Sequence, residues 1–306
     1  MELAFEKMHG LGNDFAVFED WEGAIELSAG TVRWLCDRHF GIGADGLIFV
    51  RPADDPSCRA FMHYINADGS LAQMCGNGVR CFAKYLVDHG YVDEGADELG
   101  IQTRAGAKRV RFQLDGAGKM ARATVDMGEP ILEPARIPAL CFANAAAPDG
   151  APFVGDAPIT TPWGEFRLTL VSMGNPHAVC FIDDWERLPD ALFADAAQKG
   201  LETFDVAAAG SFLERHEIFP EKANIEFVQA RGERLDVRVW ERGCGETLAC
   251  GTGACATAVA AALTGRAARK ADVALPGGTL SIEWRDDGHV LMTGPAETVY
   301  TGTIRI

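Results

Sequence analysis

Two cysteines of this chain, Cys75 and Cys250, each open a Cys-Gly-x-Gly segment, and they lie 175 residues apart. A polar residue precedes each cysteine by nine positions, Asn66 in the first case and Glu241 in the second. Each segment leads into an apolar stretch that predicts a helix, so each cysteine is expected at a helix N-terminus. There, unpaired backbone N–H groups and the positive end of the helix dipole favour a thiolate and can hold a carboxylate.

Two thiols on opposite sides of one bound carbon atom can invert its stereochemistry. One sulfur removes a proton, the other delivers a proton to the opposite face, and the helix N–H groups stabilise the carbanion between the two steps. Pyridoxal phosphate, a common cofactor for this chemistry, needs a Schiff-base lysine. The only lysine within either cysteine segment and its helix is Lys84, in the middle of the first helix. We therefore expect a reaction that uses no cofactor.

The cysteines also have other interpretations. A single Cys-Gly-x-Gly segment is more often a packing cysteine before a loop than a functional one, but the matched pair favours function. A zinc site is a further alternative. Cys244, Cys250 and Cys255 are separated by five and four intervening residues, and the chain has no Cys-x-x-Cys pair. This spacing does not match the usual structural zinc sites, so no metal is expected.

The composition is that of an ordinary globular protein and disfavours several classes of partner. The chain has 306 residues, 48% of them hydrophobic and 24% charged, which is enough for two buried cores. Its net charge of −16 disfavours nucleic acid and anionic membranes as partners. It has no run of about eighteen apolar residues that could cross a membrane. Nine cysteines, an odd number in a long chain, indicate thiols in a reducing compartment, and the cytoplasm is the expected location.

The similarity between the two halves of the chain extends beyond the cysteines. Residues 12–17 resemble residues 174–179, and residues 101–106 resemble residues 273–278. Alternating apolar and polar residues before the two polar positions predict strands. We therefore predict an α+β fold of two pseudo-symmetric domains, each a β-sheet wrapped around a central helix, with the active site in the interdomain cleft.

The predicted helices have defined limits. The two central helices are expected over residues 78–89 and 254–263, and each is followed by a glycine that ends it. A third helical stretch is expected over residues 189–200. Residues 131–163, which are rich in Pro, Ala and Gly, are expected to contain the crossover between the halves.

Six spaced segments of the chain resemble the diaminopimelate epimerase family. They cover residues 9–15, 66–70, 74–81, 174–177, 219–227 and 240–253. The resemblance implies a cofactor-independent epimerase that interconverts LL- and meso-2,6-diaminopimelate on the route to lysine and to peptidoglycan precursors. It also implies a homodimer and a cleft that closes around the substrate. The expected domains cover residues 1–130 and 131–297, with residues 298–306 returning to the first domain.

The resemblance implies a role for each residue of the predicted site. Cys75 and Cys250 are the acid/base pair, and His177 and Glu241 tune the two thiols and orient the substrate. Arg242 pairs with the distal carboxylate of the substrate, a task that suits the bidentate guanidinium. The remaining substrate-binding positions are Asn13, Asn66, Gly76, Asn77, Asn175, Asn224, Gly251, Thr252 and Gly46.

Each of these residues also has a structural interpretation. Asn13 and Asn66 could be turn residues, His177 a buried core histidine, and Glu241 with Arg242 a surface ion pair. The order and spacing of the six segments favour function. Some family members have glutamine at the position of Gly46, which can bind only through its backbone.

Two other functions fit parts of the pattern. A proline or hydroxyproline racemase would use the same two thiols, but such enzymes typically have histidine where this chain has Asn77. They also lack the pair formed by Glu241 and Arg242, because a substrate with one carboxylate gives Arg242 no partner. A non-enzymatic thiolate or metal-binding protein of the same fold would bind zinc tightly and catalyse no proton exchange.

Overall fold

The structure, a computed structural model, describes residues 1–306, which form two compact units. The first unit comprises Met1–Asp126 and Thr293–Ile306, and the second comprises Met127–Met292. None of the helices has the length and apolar character that crossing a membrane requires.

The helices and strands follow one another along the chain. They are β1 (Glu2–Gly10), β2 (Asn13–Glu19), α1 (Ala29–Cys36), β3 (Gly46–Arg51), β4 (Ala60–Asn66), α2 (Gly76–Asp88), β5 (Glu98–Thr103), β6 (Gly106–Leu114), β7 (Met120–Asp126), β8 (Ala145–Ala146), β9 (Pro152–Phe153), β10 (Ala157–Thr161), β11 (Gly164–Ser172), β12 (Pro176–Phe181), α3 (Val206–Glu214), β13 (Asn224–Arg231), β14 (Arg234–Glu241), β15 (Gly245–Thr247), α4 (Gly251–Leu263), β16 (Lys270–Leu275), β17 (Gly278–Trp284), β18 (Val290–Gly294) and β19 (Glu297–Arg305). Short 3₁₀ helices occur at Pro134–Arg136, Trp185–Arg187 and Asp190–Leu192.

The strands of the two units pair in the same pattern. In the first unit, β19, β1, β2, β3, β4, β5, β6 and β7 are neighbours in that order, with β2/β3 and β4/β5 parallel and the other pairs antiparallel. In the second unit, β10, β11, β12, β13, β14, β16 and β17 are neighbours in that order, with β12/β13 and β14/β16 parallel. The parallel pairs fall at equivalent places, so the predicted α+β fold of two similarly built domains is confirmed.

Alternate residues of each sheet face two different helices, as the period of a strand requires. In the first unit, Phe15 and Ile48 lie against the central helix α2. Phe18 and Phe49, whose rings stack at 5.2 Å, point the other way into a buried cluster that includes α1. In the second unit, Ile225 belongs to the corresponding cluster with α3, and α4 packs on the strands as the central helix.

The two central helices, α2 and α4, are each 13 residues long and begin directly after a cysteine. Cys75 and Cys250 are their N-cap residues, and neither side chain makes a capping hydrogen bond. Gly90 and Gly265 follow the helices with φ of 74° and 72°, which glycine adopts without steric cost. The two predicted helices and their ends are confirmed. Both helices begin three residues or fewer before the predicted start, because glycines that weaken an apolar pattern form their first turns.

The helix predicted over residues 189–200 is wrong. Only Asp190–Leu192 forms a 3₁₀ turn there, and the Asp195 side chain accepts a backbone hydrogen bond that closes a local turn instead of a helix. The helix of this region is α3, which Asp205 caps. Another short helix, α1, was not predicted and is capped by Ser28.

Candidate active site

Each unit carries a group of predicted site residues, called its half-site below, around the N-terminus of its central helix. In the first unit, the partly exposed Cys75 has its Sγ 3.6 Å from Asn13 Oδ1. Asn77 Nδ2 donates to the same oxygen at 3.2 Å, and Asn13 Nδ2 donates to Asp45 Oδ2 at 2.8 Å. A carboxylate can only accept, so Asp45 fixes the Asn13 amide with its oxygen towards the thiol.

Charged residues hold Asp45 in place. Arg38 Nη2 donates to Asp45 Oδ1 at 2.8 Å and to Asp14 Oδ1 at 2.7 Å, and Lys7 pairs with Asp14. Burial of Asp14 opposes its ionisation, but hydrogen bonds from Arg38 and Lys7 lower the pKa of this carboxyl overall. These charged groups hold Asp45 in place, and Asp45 in turn holds Asn13. Asp45 was not among the predicted site residues.

A fully buried arginine, Arg80, supports the other side of the first half-site. Its Nη2 donates to Asn77 Oδ1 at 2.9 Å, and its Nε donates to the backbone oxygen of Pro295 at 3.0 Å. A buried guanidinium is tolerated only where its donors are satisfied. In the sequence, Arg80 is visible only as a charged residue within an apolar helix pattern. The periodicity of that pattern does not indicate what the residue does.

Asn66 and Gly46 face each other on the neighbouring strands β4 and β3. Asn66 Nδ2 donates to Ser70 Oγ at 3.0 Å. A Cβ at Gly46 would lie 2.4 Å from Cε2 of Tyr64 and 2.7 Å from the backbone oxygen of Ile65. Tyr64 thus occupies the space that a longer side chain at position 46 would need.

In the second unit, Cys250 is buried, and its Sγ lies 3.5 Å from Thr252 Oγ1. Burial raises the pKa of the Cys250 thiol well above its usual range, and the carboxylates of Glu241 and Glu226 raise it further. Glu241 accepts a hydrogen bond of 2.5 Å from Thr247 Oγ1. In this arrangement Cys250 carries its proton at neutral pH.

His177 lies fully buried between a carboxylate and an amide. Its Nδ1 is 2.7 Å from Glu226 Oε1, and its Nε2 is 3.0 Å from Asn175 Oδ1. Glu226 was not among the predicted site residues. Its signal was the alternation in β13, which places Glu226 on the same face of the strand as Asn224.

Asn224 organises the backbone around the second half-site. Its Oδ1 accepts from the backbone N–H of Arg242 at 2.8 Å, and its Nδ2 donates to the backbone oxygen of Pro176 at 2.9 Å. Both ends of the Asn224 amide are therefore occupied, and it fixes the turn that carries Arg242. The exposed Arg242 side chain donates from Nη1 to the backbone oxygen of Glu221 at 2.9 Å. The rest of its guanidinium can meet a carboxylate.

The structure thus groups most of the predicted residues within their own units. Gly76 and Gly251 form the first turns of α2 and α4, where backbone N–H groups have no partner inside the helix. The groups in direct contact are Asn13 with Cys75 and Asn77, Cys250 with Thr252, and His177 with Asn175. Asn66 contacts Ser70, and Asn224 contacts backbone atoms rather than another predicted side chain.

Similar proteins include members of one enzyme family. The family model described as diaminopimelate epimerase matches residues 5–133 and 169–299. The diaminopimelate epimerase of Moorella thermoacetica is 46% identical over 306 residues, covering 98% of each chain. That of Desulfitobacterium hafniense is 45% identical over 302 residues, covering 97% of this chain and 96% of the relative.

Solved structures share the fold at low sequence identity. A probable proline racemase from Agrobacterium radiobacter has a TM-score of 0.65 and 16% identity, covering 99% of this chain and 93% of the other. A hydroxyproline epimerase from Agrobacterium vitis has a TM-score of 0.64 and 16% identity, covering 99% and 91%. At this level of identity the similarity shows a shared fold alone.

Proposed function

Because this chain belongs to the diaminopimelate epimerase family, we infer that it interconverts LL- and meso-2,6-diaminopimelate without pyridoxal phosphate. The observation that carries the proposal is the paired arrangement of Cys75 and Cys250. Each is the N-cap of a buried central helix, in a unit with the same order of strands. A helix N-terminus is a site for the α-carboxylate of an amino acid and favours negative charge beside it.

The proposed reaction moves one proton in each of two steps. One cysteine, as thiolate, takes the α-proton and becomes a thiol, while the electron pair of the broken C–H bond stays on the substrate as an enolate-like carbanion. Backbone N–H groups at the helix ends stabilise this charge. The other cysteine, as thiol, then donates its proton to the opposite face and becomes the thiolate. The proposal requires both units to present their thiols to one substrate molecule.

The substrate carries a second carboxylate, away from the reacting carbon, which distinguishes it from proline. In the proposal, the exposed guanidinium of Arg242 binds this group, and Asn224 holds the backbone N–H of Arg242 at 2.8 Å. Asn13, Asn77, Asn175 and the N–H groups of the two helices bind the polar groups of the reacting end. A substrate with a single carboxylate would leave Arg242 without a partner, so the racemase alternative is weaker.

The product of the proposed reaction, meso-2,6-diaminopimelate, is a biosynthetic intermediate in this proposal. We place the reaction among the steps that lead to lysine and to peptidoglycan precursors, as the family resemblance implies. An enzyme that needs two reduced thiols suits a reducing compartment such as the cytoplasm, and the reaction needs neither nucleic acid nor a membrane. The expected assembly is a homodimer.

Proton NMR of the reduced protein in D₂O tests the proposal. With LL-diaminopimelate, we expect the α-proton signal to disappear as deuterium enters and the meso isomer to form. L-Proline under the same conditions is expected to show no exchange. Exchange at proline alone would replace the proposal with a racemase activity. Exchange at neither substrate, together with tightly bound zinc, would indicate a non-catalytic thiolate protein.

A further inference from the structure

The two half-sites differ in what lies behind the cysteine. In the first unit, a Cβ placed on Gly78 would lie 3.3 Å from Cδ1 of Ile48, 3.5 Å from Cβ of Cys75 and 3.6 Å from Cζ of Phe15. Two apolar side chains, Ile48 and Phe15, therefore pack behind the start of α2. Nothing in this pair can ionise.

The second unit has ionisable residues in the same place. Gly253 follows Cys250 at the same spacing as Gly78 follows Cys75. A Cβ on Gly253 would lie 2.7 Å from Oε1 of Glu226 and 3.3 Å from Sγ of Cys250. The Glu226 carboxylate and the Cys250 sulfur therefore converge on Gly253, and only a glycine leaves room for both.

Strand pairing shows that these positions are equivalent. In the parallel pair β2/β3, Phe15 is opposite Gly46, and Ile48 lies two residues further along β3. In the parallel pair β12/β13, His177 is opposite Asn224, and Glu226 lies two residues further along β13. The duplicated fold thus places Phe15 with Ile48 behind one cysteine and His177 with Glu226 behind the other.

Glu226 is an unusual residue for a protein core. Its side chain is 0% exposed, and its Oε2 has no hydrogen-bond partner. Burying a carboxylate oxygen without a partner is costly, so a buried group of this kind in a native structure calls for an explanation. A purely structural role would be filled better by an apolar residue, as Ile48 shows in the other unit.

The contacts of His177 define how many protons the pair holds. Its Nε2 faces Asn175 Oδ1, an acceptor, so Nε2 carries a hydrogen. The contact of 2.7 Å between Nδ1 and Glu226 Oε1 then needs one more proton, on either the imidazole or the carboxyl. In both forms the pair is neutral overall and holds this proton next to Cys250.

We propose that Glu226 is a positioning residue for the reaction. Glu226 and His177 form a pair that shares one proton, and this pair keeps Cys250 as the proton-carrying cysteine. The inference rests on the proposed epimerase function and makes its two cysteines unequal. When Cys250 acts, its S–H bond breaks and the proton joins the carbanion, whose electron pair forms the new C–H bond. The thiolate that remains faces Glu226, which favours its return to the thiol once a proton is available.

The charged and polar groups around Cys250 agree with this assignment. Burial is the largest cause of the raised pKa of the Cys250 thiol. Glu241 from β14 and Glu226 from β13 raise this pKa further, whereas Thr252 and the N–H of Gly253, both from α4, lower it. From β12, His177 acts through its contact with Glu226. Of this pair, Glu226 rather than His177 converges with the Cys250 sulfur on Gly253. With the shared proton on the imidazole, Glu226 is a carboxylate, so replacing it with an amide is expected to lower the pKa of Cys250.

The pH dependence of thiol alkylation tests the proposal without substrate. In the Glu226→Gln variant, iodoacetamide labelling of Cys250, followed by peptide mapping, is expected to have its midpoint at lower pH than in the unmodified protein. The labelling rate at pH 7 is expected to rise on the order of tenfold. Cys75 in the same molecules is the internal control, and its midpoint is expected to stay unchanged.

Two further variants separate this effect from a general loosening of the fold. Glu214→Gln changes another buried carboxylate, one that contacts Trp240 and Gly243 instead of His177, and it is expected to leave the Cys250 midpoint unchanged. If Glu226→Gln does not fold, the double variant His177→Phe/Glu226→Ile copies the apolar pair of the first unit. Replacing a buried ionic pair with apolar residues often preserves stability, and the same shift of the Cys250 midpoint is expected.

The outcomes distinguish this inference from the proposed function. An unchanged Cys250 midpoint in the Glu226 variants, or equal shifts of both cysteines, would overturn the role of Glu226 even if the unmodified protein epimerises diaminopimelate. A protein that shows the Cys250 shift but exchanges no proton of diaminopimelate would overturn the epimerase function and leave the thiol environment established.

Discussion

Epimerisation of LL-diaminopimelate by the Cys75→Ala and Cys250→Ala variants is expected to fall by at least about a thousandfold in each case. Each change removes one of the two proton carriers, so the remaining cysteine can serve only one face of the α-carbon. Neither cysteine side chain caps its helix, so the loss of stability is expected to be small. The rate of meso-isomer formation measures the effect, and circular dichroism checks the fold.

The controls for the cysteine variants follow from the structure. Cys141 packs beside the hydrophobic cluster of the second unit and belongs to no predicted half-site, so Cys141→Ser is expected to keep full activity. The double variant Cys75→Ala/Cys250→Ala is expected to be no worse than either single variant, because the two groups act as a unit. Substantial activity in both single variants would contradict the two-base mechanism.

The Arg242→Lys variant is expected to have a KM for diaminopimelate raised by about tenfold to a hundredfold, with a smaller change in kcat. An ammonium replaces the guanidinium as a point charge and cannot form two parallel hydrogen bonds to the distal carboxylate. Loss of one hydrogen bond to a charged group costs about 1.5–3 kcal/mol, which corresponds to this range. Steady-state kinetics with both isomers measure the change.

An exposed arginine at the start of β14, the strand that Arg242 follows, serves as the control. Arg234 is exposed and pairs with Asp236 on β14, so Arg234→Lys is expected to leave KM and kcat unchanged. A substrate analogue without the distal carboxylate should not distinguish Arg242→Lys from the unmodified protein. Equal KM values for diaminopimelate in the two proteins would remove Arg242 from the binding site.

The central helices and their cysteines could be predicted because their signals are local. Apolar periodicity, a Cys-Gly-x-Gly start and a terminal glycine all lie within about twenty residues. Because the pattern occurs twice, each occurrence supports the interpretation of the other. The third helix was misplaced because Asp195 closes a turn in a stretch of otherwise suitable residues, while Asp205 caps the real helix. Such local competition between side chain and backbone is weakly visible in sequence.

The supporting residues Asp45, Arg80 and Glu226 could not be predicted, because their roles come from contacts between distant parts of the chain. His177 and Glu226 are 49 positions apart, and Asn13 and Asp45 are 32 positions apart. Arg80 stands alone in an apolar pattern, and its partner Pro295 is 215 positions away. Sequence spacing identifies a residue type that can do chemistry, but only the register of paired strands shows what supports it.

The first unit is closed by the last residues of the chain. Strand β19 pairs with β1 from Glu2 to His9, and Pro295 accepts the hydrogen bond of the buried Arg80 next to Asn77. During translation, Cys75 therefore leaves the ribosome long before the residues that complete its surroundings have been made. A chain shortened before Pro295 would contain the residues around Cys250 but lack the acceptor that holds Arg80 beside Asn77, so the first half-site is expected to form only after this segment has been added.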